Sequence, residues 1–500
     1  MRSRDVGTTE FGHLFPELAG SGPATGAPVA ALDALGDAMA EPADGGPGGG
    51  PAGGSAMPPV VTFWAQFVRH DLTAGDVPRL DLASVYGDGP FAQPADAAAV
   101  PYDGVKLRLG RLAPSALGVA VPPVDDLARD LPRAGHSAGP ARRGTALVGD
   151  ARNAANLPLA QLHVAFLRFH NAAVDWVRAH EPERATDAAV FGRASDLTRW
   201  AYQWLCVHDH LAGVTLPGTL ERASAGDLLG PAARGAYLPL EYAAAASRFE
   251  LSTVRGAYDW NRAHGRPGRG EVGAAPLAAL LGSCEGSGSA GRADGSGSAD
   301  GSGVSDGLSG GLAHGPAAAR TPLPADWPVE WARLVDPASL FRDRFARPIG
   351  TRLTPPTAAG DAGVRDWFAA VARRTLCRGH ALGLPAGQAV AARLGVEPLT
   401  PAEVSGAGGP ATREALARGG FLDRTPLWFY VLAEAEVRAG GRTLGEVGSR
   451  ILAGTVVGLL RRDPTSYLHV AGWTPCAGVR LPDGTPIASV ADFLRFAGVL

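Results

Sequence analysis

The stretch VTFWAQFVRHDLT, Val61 to Thr73, decides how the rest of the chain is read. Phe63, Trp64, Phe67, Val68 and Leu72 recur at helical steps, so the spacing predicts a helix with an apolar body. Gln66 and His70 stand four positions apart and project from one face, one turn apart, and Asp71 follows where the helix would be ending. A neutral imidazole beside an amide can take up and return a proton, which is what peroxide chemistry asks of a side chain. Taken alone, the same letters describe an amphipathic core helix whose histidine is simply hydrogen-bonded.

Outward from this helix, GDARNAANLPLAQLHVAFLRFHNAAVDWV runs from Gly149 to Val177. Leu159, Leu162, Phe166, Phe169, Ala173, Val174 and Val177 recur at three- and four-residue steps and predict a second amphipathic helix, with Arg152 just before it. His163 and His170 fall within the helix and read as hydrogen-bonded core residues. From Leu197, LTRWAYQWLCVHDHLAG predicts another core helix, in which His208 and His210 face different sides and make a poor metal pair. YLPLEYAAAASRFELSTVRGAYDWNR from Tyr237 and TLCRGHALGLPAGQ from Thr375 carry the remaining polar residues of interest. The final third again reads as helices.

Composition bounds the alternatives. A chain of 500 residues with 46% hydrophobic content can bury a large core. A net charge of −3 leaves no electrostatic footprint for nucleic acid or an anionic membrane. The cysteines at 206, 284, 377 and 476 lack CxxC spacing, which argues against a zinc site or a disulfide framework and suits a reducing cytoplasm. The N-terminus lacks the apolar core of a signal peptide, and ILAGTVVGLL from Ile451 is too short to span a membrane. Residues 1–58 read as an arm that packs on the body followed by a Gly/Pro tether. Residues 283–320, rich in Gly and Ser, read as a disordered insertion within one body spanning 59–500.

Together these stretches resemble the animal-type haem peroxidase superfamily, the group of myeloperoxidase and lactoperoxidase, in its bacterial branch. The resemblance implies a mainly α fold, a single large helical domain. It also implies haem as cofactor, with hydrogen peroxide and a small reductant as substrates. Gln66 and His70 match the distal pair and Arg152 the distal arginine, the three expected catalytic residues. Arg248 and Arg378 match the arginines that pair with the haem propionates. Asp71 and Asp81 match calcium-binding carboxylates, although Ala83 and Val77 stand where further oxygen ligands are expected, and a hard cation wants six or more oxygens.

The departures are as informative. Arg69 and Ala155 occupy the two positions whose carboxylates form esters to haem in relatives. Leu251 stands at the position of the proximal histidine that binds the iron, with Glu250 in place of the preceding glycine. Thr375 replaces the asparagine that orients that histidine. A leucine side chain cannot coordinate iron, and its loss together with its supporting partner is coherent. His264 and His380 are the nearest replacement ligands in sequence. The resemblance therefore implies a haem peroxidase-family oxidoreductase, weakened or silent. The alternative is a non-catalytic haem-binding or scaffold protein on the same fold.

Overall fold

Eight helices of ten residues or more and one shorter helix, Val490–Phe496, frame the core among the described residues, and aromatic side chains hold three of them together. In chain order they are α1 (Pro28–Met39), α2 (Val60–Asp71), α3 (Leu157–His180), α4 (Asp187–Leu205), α5 (Ala362–Ala381), α6 (Pro410–Gly419), α7 (Leu427–Ala439), α8 (Glu446–Arg462) and α9 (Val490–Phe496). The computed structural model describes residues 11–23, 28–41, 55–75, 77–92, 100–139, 142–226, 228–229, 237–265, 274–281, 321–335, 345–355 and 361–500. The Gly/Ser stretch expected as an insertion, 283–320, lies outside these residues, as does most of the Gly/Pro tether.

Phe67 of α2 stacks on Phe166 of α3 at 4.3 Å, and Phe169 of α3 stacks on Phe493 of α9 at 4.3 Å. Trp64 packs against both Phe166 and Phe493. Such ring pairs add about 0.5–1.5 kcal/mol each to the area they bury. α2 was expected to show a polar edge on an apolar body. Instead it is buried on nearly every side, Val61 alone being partly open, so its polar residues must find partners inside.

Caps fix the helix starts. The Asn156 side chain accepts from the Leu159 N–H at the start of α3, and Asp361 accepts from the Val364 N–H at the start of α5. At the start of α8, the carboxylate that accepts from Val447 and Gly448 comes from Glu434 on α7. α4 runs on into a π-helical turn, Cys206–Leu211, which stacks His208 on Trp204 and buries His210.

The segment after α2 contains one helical turn, Ala83–Tyr86. It is entered through Leu82 with φ +62°, a left-handed conformation uncommon for leucine, held by a fully buried side chain. Strands are confined to three two-residue pairs among the described residues. In one, Phe11–Gly12 lies parallel to Leu238–Pro239, which docks the N-terminal arm beside buried Leu14 and Phe15. α1 lies against both α5 and α6. Buried apolar residues from Leu14 to Val499 form one contiguous core.

Candidate functional site

His70 is the organising residue of the site. Its ring is buried, and Nδ1 lies 3.0 Å from the side-chain oxygen of Asn153. The Asn153 amide lies in turn 3.3 Å from Nδ1 of His163. Burial pushes the His70 pKa well below the ordinary imidazole value, and the Arg69 and Arg152 charges push it the same way, so the ring is neutral at physiological pH. With Nδ1–H donating to Asn153, the free lone pair is on Nε2.

Arg152 is adjacent, although its guanidinium serves the backbone. It donates to the His70 carbonyl at 3.0 Å and is clasped by Asp150 through Nε and Nη2. Gln66 is buried one turn before His70 on α2. His70 and Arg152 are thus in contact, with Gln66 one turn earlier on the same helix; Arg152 supports the backbone beneath His70 and Asn153 orients its ring.

The facing wall is the short segment Ala246–Thr253, a 3₁₀ turn followed by one helical turn. It touches α2 directly at two places. Thr62 Oγ1 and Thr253 Oγ1 are 2.8 Å apart, and Arg69 Nη2 is 3.2 Å from Glu250 Oε1, with both charged side chains buried. Among the described residues no amide or hydroxyl donates to the Glu250 carboxylate. Burial raises the Glu250 pKa, against the opposing pull of Arg69 and then Arg248. Leu251 is buried beside it.

Arg248 is buried on the same wall, with Nη1 3.4 Å from Thr375 Oγ1. Its carbonyl accepts from the Trp428 indole at 3.3 Å. Burial lowers the Arg248 pKa to about 9, and Arg69 opposes its charge further. Thr375 donates to the Val371 carbonyl of its own helix at 2.8 Å, so its hydroxyl is turned into α5. Arg378, one turn later, is partly exposed, and burial lowers its pKa as well.

Two small voids among the described residues lie against these walls. One void of about 10 Å³ is bounded by Ala65, His210, Tyr242, Ser247 and Phe249, and another of about 10 Å³ by Ala244, Thr375, His380, Leu427 and Trp428. Each suits about one water.

A haem placed between α2 and Ala246–Thr253 would find leucine where an iron ligand is needed. It would also have to part the Arg69–Glu250 and Thr62–Thr253 contacts. The residues present do not fit the group. Of the replacement ligands considered, His264 stacks on Trp327 and bonds Asp326 at 3.0 Å, while His380 borders the second void. His170 is held by the Tyr86 hydroxyl and the Val105 carbonyl, a structural role.

The loop after α2 uses its carboxylates internally. Asp71 accepts from the Leu82 N–H at 3.1 Å and the Ser84 hydroxyl at 3.0 Å, and Asp81 accepts from the Ala83 N–H. Burial, then the nearby Asp81 charge, raises the Asp71 pKa to about 8. Among the described residues no group of three or more His, Cys, Asp or Glu is placed to hold a metal ion. No helix among them is long and apolar enough to cross a membrane.

Sequence reasoning missed Asn153, Asp150 and the pairing of Arg69 with Glu250. Asn153 stood three residues before the cap Asn156 and carried no distinguishing signal. Arg69 and Glu250 each carried a signal, since charges among buried apolar neighbours call for partners, but nothing in the sequence named the one for the other.

No family model and no curated protein matches the chain. Among solved structures, the backbone is similar to peroxidase A from Dictyostelium discoideum, with a TM-score of 0.53 and 14% identity over 92% of this chain and 88% of that one. It is also similar to a fatty acid alpha-dioxygenase from Arabidopsis thaliana, with a TM-score of 0.50 and 12% identity over 95% of this chain and 76% of that one. The likeness is one of fold: the chain has the mostly helical animal haem peroxidase-type architecture.

Proposed function

We propose that this chain is a non-catalytic protein built on the peroxidase fold, a scaffold or binding protein that does not turn over peroxide. The observation that carries the reading is Leu251, buried in the turn that packs against α2, with the Thr375 hydroxyl bonded to its own helix. A peroxidase needs a ligand that supplies electron density to iron, and neither position offers one. Acid–base help of the kind His70 can give multiplies a rate by roughly a hundred to ten thousand, which does not replace the missing iron chemistry. Three described cysteines, Cys206, Cys377 and Cys476, are free, in keeping with a cytoplasmic protein.

A second reading is favoured by one observation, the retention of a neutral His70 held in register by Asn153. In that reading the chain is a haem-dependent oxidoreductase that uses hydrogen peroxide and a small reductant. Arg248 and Arg378 would hold the propionates, and Asp71 and Asp81 a calcium ion. The discriminating experiment supplies the purified chain with haemin, peroxide and a one-electron donor. Turnover no greater than that of free haemin is expected. Turnover that exceeds it and disappears in His70→Ala would establish the second reading instead.

A further inference from the structure

We propose that Arg69 and Glu250 together stand in for haem: their ion pair braces α2 against the facing segment and closes the slot to the cofactor. The inference deepens the non-catalytic reading and rests on the fold assignment. It goes further than a missing ligand, because it assigns the space itself to this chain's own side chains.

The two residues belong to segments far apart in sequence, and each is costly alone. A buried arginine or carboxylate without a counter-charge loses several kcal/mol of solvation, whereas the two together offset much of that loss. Glu250 is the more dependent partner, because no amide or hydroxyl among the described residues donates to it. Replacing Arg69 removes the cation in contact with the buried carboxylate and leaves it only the weaker pull of Arg248. Replacing Glu250 leaves the Arg69 guanidinium in an interior that already holds Arg248. The charges therefore make physical sense as one exchange of two residues.

The brace has two footings. Thr62 and Arg69 are seven residues apart on α2, about 10 Å along the axis, and they reach Thr253 and Glu250 at opposite ends of one helical turn. A flat macrocycle lying between these walls would have to separate both contacts at once. It would leave two buried charges without each other, and the neighbouring voids are too small to receive either displaced side chain.

The test is a double-mutant cycle on the full chain, Arg69→Met and Glu250→Gln, followed by thermal unfolding and combined with a haemin titration of the unaltered chain. Each single variant is expected to melt below the unaltered chain, and the double variant to lose less than the sum of the two. Single variants that do not fold beside a double that does would support the brace equally. Additive losses would overturn it. The unaltered chain is expected to show no saturable Soret band and no rise in melting temperature with haemin. Uptake of one haemin per chain with a raised melting temperature would overturn the closed slot, including where no variant folds. Arg69→Ala with Glu250→Gly is expected to raise haemin affinity by about tenfold or more, a shift of about 1.4 kcal/mol. Peroxide turnover by the unaltered chain would instead refute the non-catalytic reading, so the two failures are distinguishable.

Discussion

The Asn153 side chain sits between two buried histidines, its oxygen 3.0 Å from Nδ1 of His70 and its amide 3.3 Å from Nδ1 of His163. One amide thereby sets the tautomer of both rings, placing the proton of His70 on Nδ1 and that of His163 on Nε2. Asn153→Leu removes both partners without restoring water to either ring. The expected loss is about 1–3 kcal/mol of unfolding free energy for the stranded polar groups. It should be read by denaturant unfolding, with nitrogen chemical shifts of His70 reporting a mixture of tautomers. Unchanged shifts in the variant would remove Asn153 from this role.

Restoring a ligand alone should fail. Leu251→His with Thr375→Asn supplies the iron-binding nitrogen and its support, yet leaves the Arg69–Glu250 pair across the slot. The double change is expected to show little haemin uptake. Adding Arg69→Ala and Glu250→Gly should bring a saturable Soret band, and His70→Ala in that background should keep the band while removing peroxide turnover. A strong band in the first double variant would mean that the ion pair yields easily.

Asp71 makes stability depend on pH in an identifiable direction. Its carboxyl ionises near 3.8 when unfolded and at about 8 when folded, so folding takes up a proton between those values. Stability should therefore fall as pH rises through that window. Asp71→Asn, which still accepts from Leu82 or Ser84 and cannot ionise, should flatten the profile measured by chemical unfolding. A variant as pH-dependent as the parent would assign the slope to other groups.

His13 has the same sign. Its hydrogen bond to Glu241 raises its pKa above 6.5, so the stabilisation is complete below that value and is lost as pH rises through the folded value. The arm should loosen on the alkaline side. Hydrogen exchange at the Leu14 amide, which donates to Glu241 at 2.8 Å, should be less protected at about pH 8 than at about pH 6, after correction for intrinsic rates. His13→Asn should abolish the difference.

Glu434 offers a stability test far from the site. It is fully buried, accepts from the Val447 and Gly448 amides, and burial raises its pKa to about 7. Glu434→Leu leaves two amides at the start of α8 without an acceptor and should cost about 2–5 kcal/mol, whereas Glu434→Gln should cost about 1 kcal/mol or less. Equal losses from the two variants would show that shape, and not the acceptor, is what matters.

Much of this architecture was legible because it rests on local periodicity. The apolar steps in Phe63–Leu72 and Leu159–Val177 place α2 and α3, and Arg152, read as a neighbour of His70, does contact it through the His70 carbonyl. The partners were less legible. Nothing near Arg69 in the chain announces Glu250, since ion pairing across the core is a property of packing and has no period. Asn153 reads as one more small polar residue before a helix. The left-handed Leu82 was also hidden, because leucine takes that conformation only when burial of its side chain outweighs the backbone strain, a balance set by tertiary contacts.

The position of α1 constrains the order in which the molecule can be assembled. Gly36 lies so close to α5 that an added Cβ would come within 2.7 Å of the Arg373 backbone nitrogen, Thr354 donates to the Ala40 carbonyl, and α6 covers another side. On a ribosome α1 emerges well before α5 and α6, and its binding surfaces are completed only after Gly419 has been made. At typical elongation rates of about 5–20 residues per second, α1 waits for tens of seconds with buried-to-be Leu32, Leu35 and Met39 uncovered. Contacts of such high sequence separation close late and slowly. α1 thus acts as a final clasp: nascent chains halted before α6 should remain open to proteolysis, and chaperone dependence should concentrate in that interval.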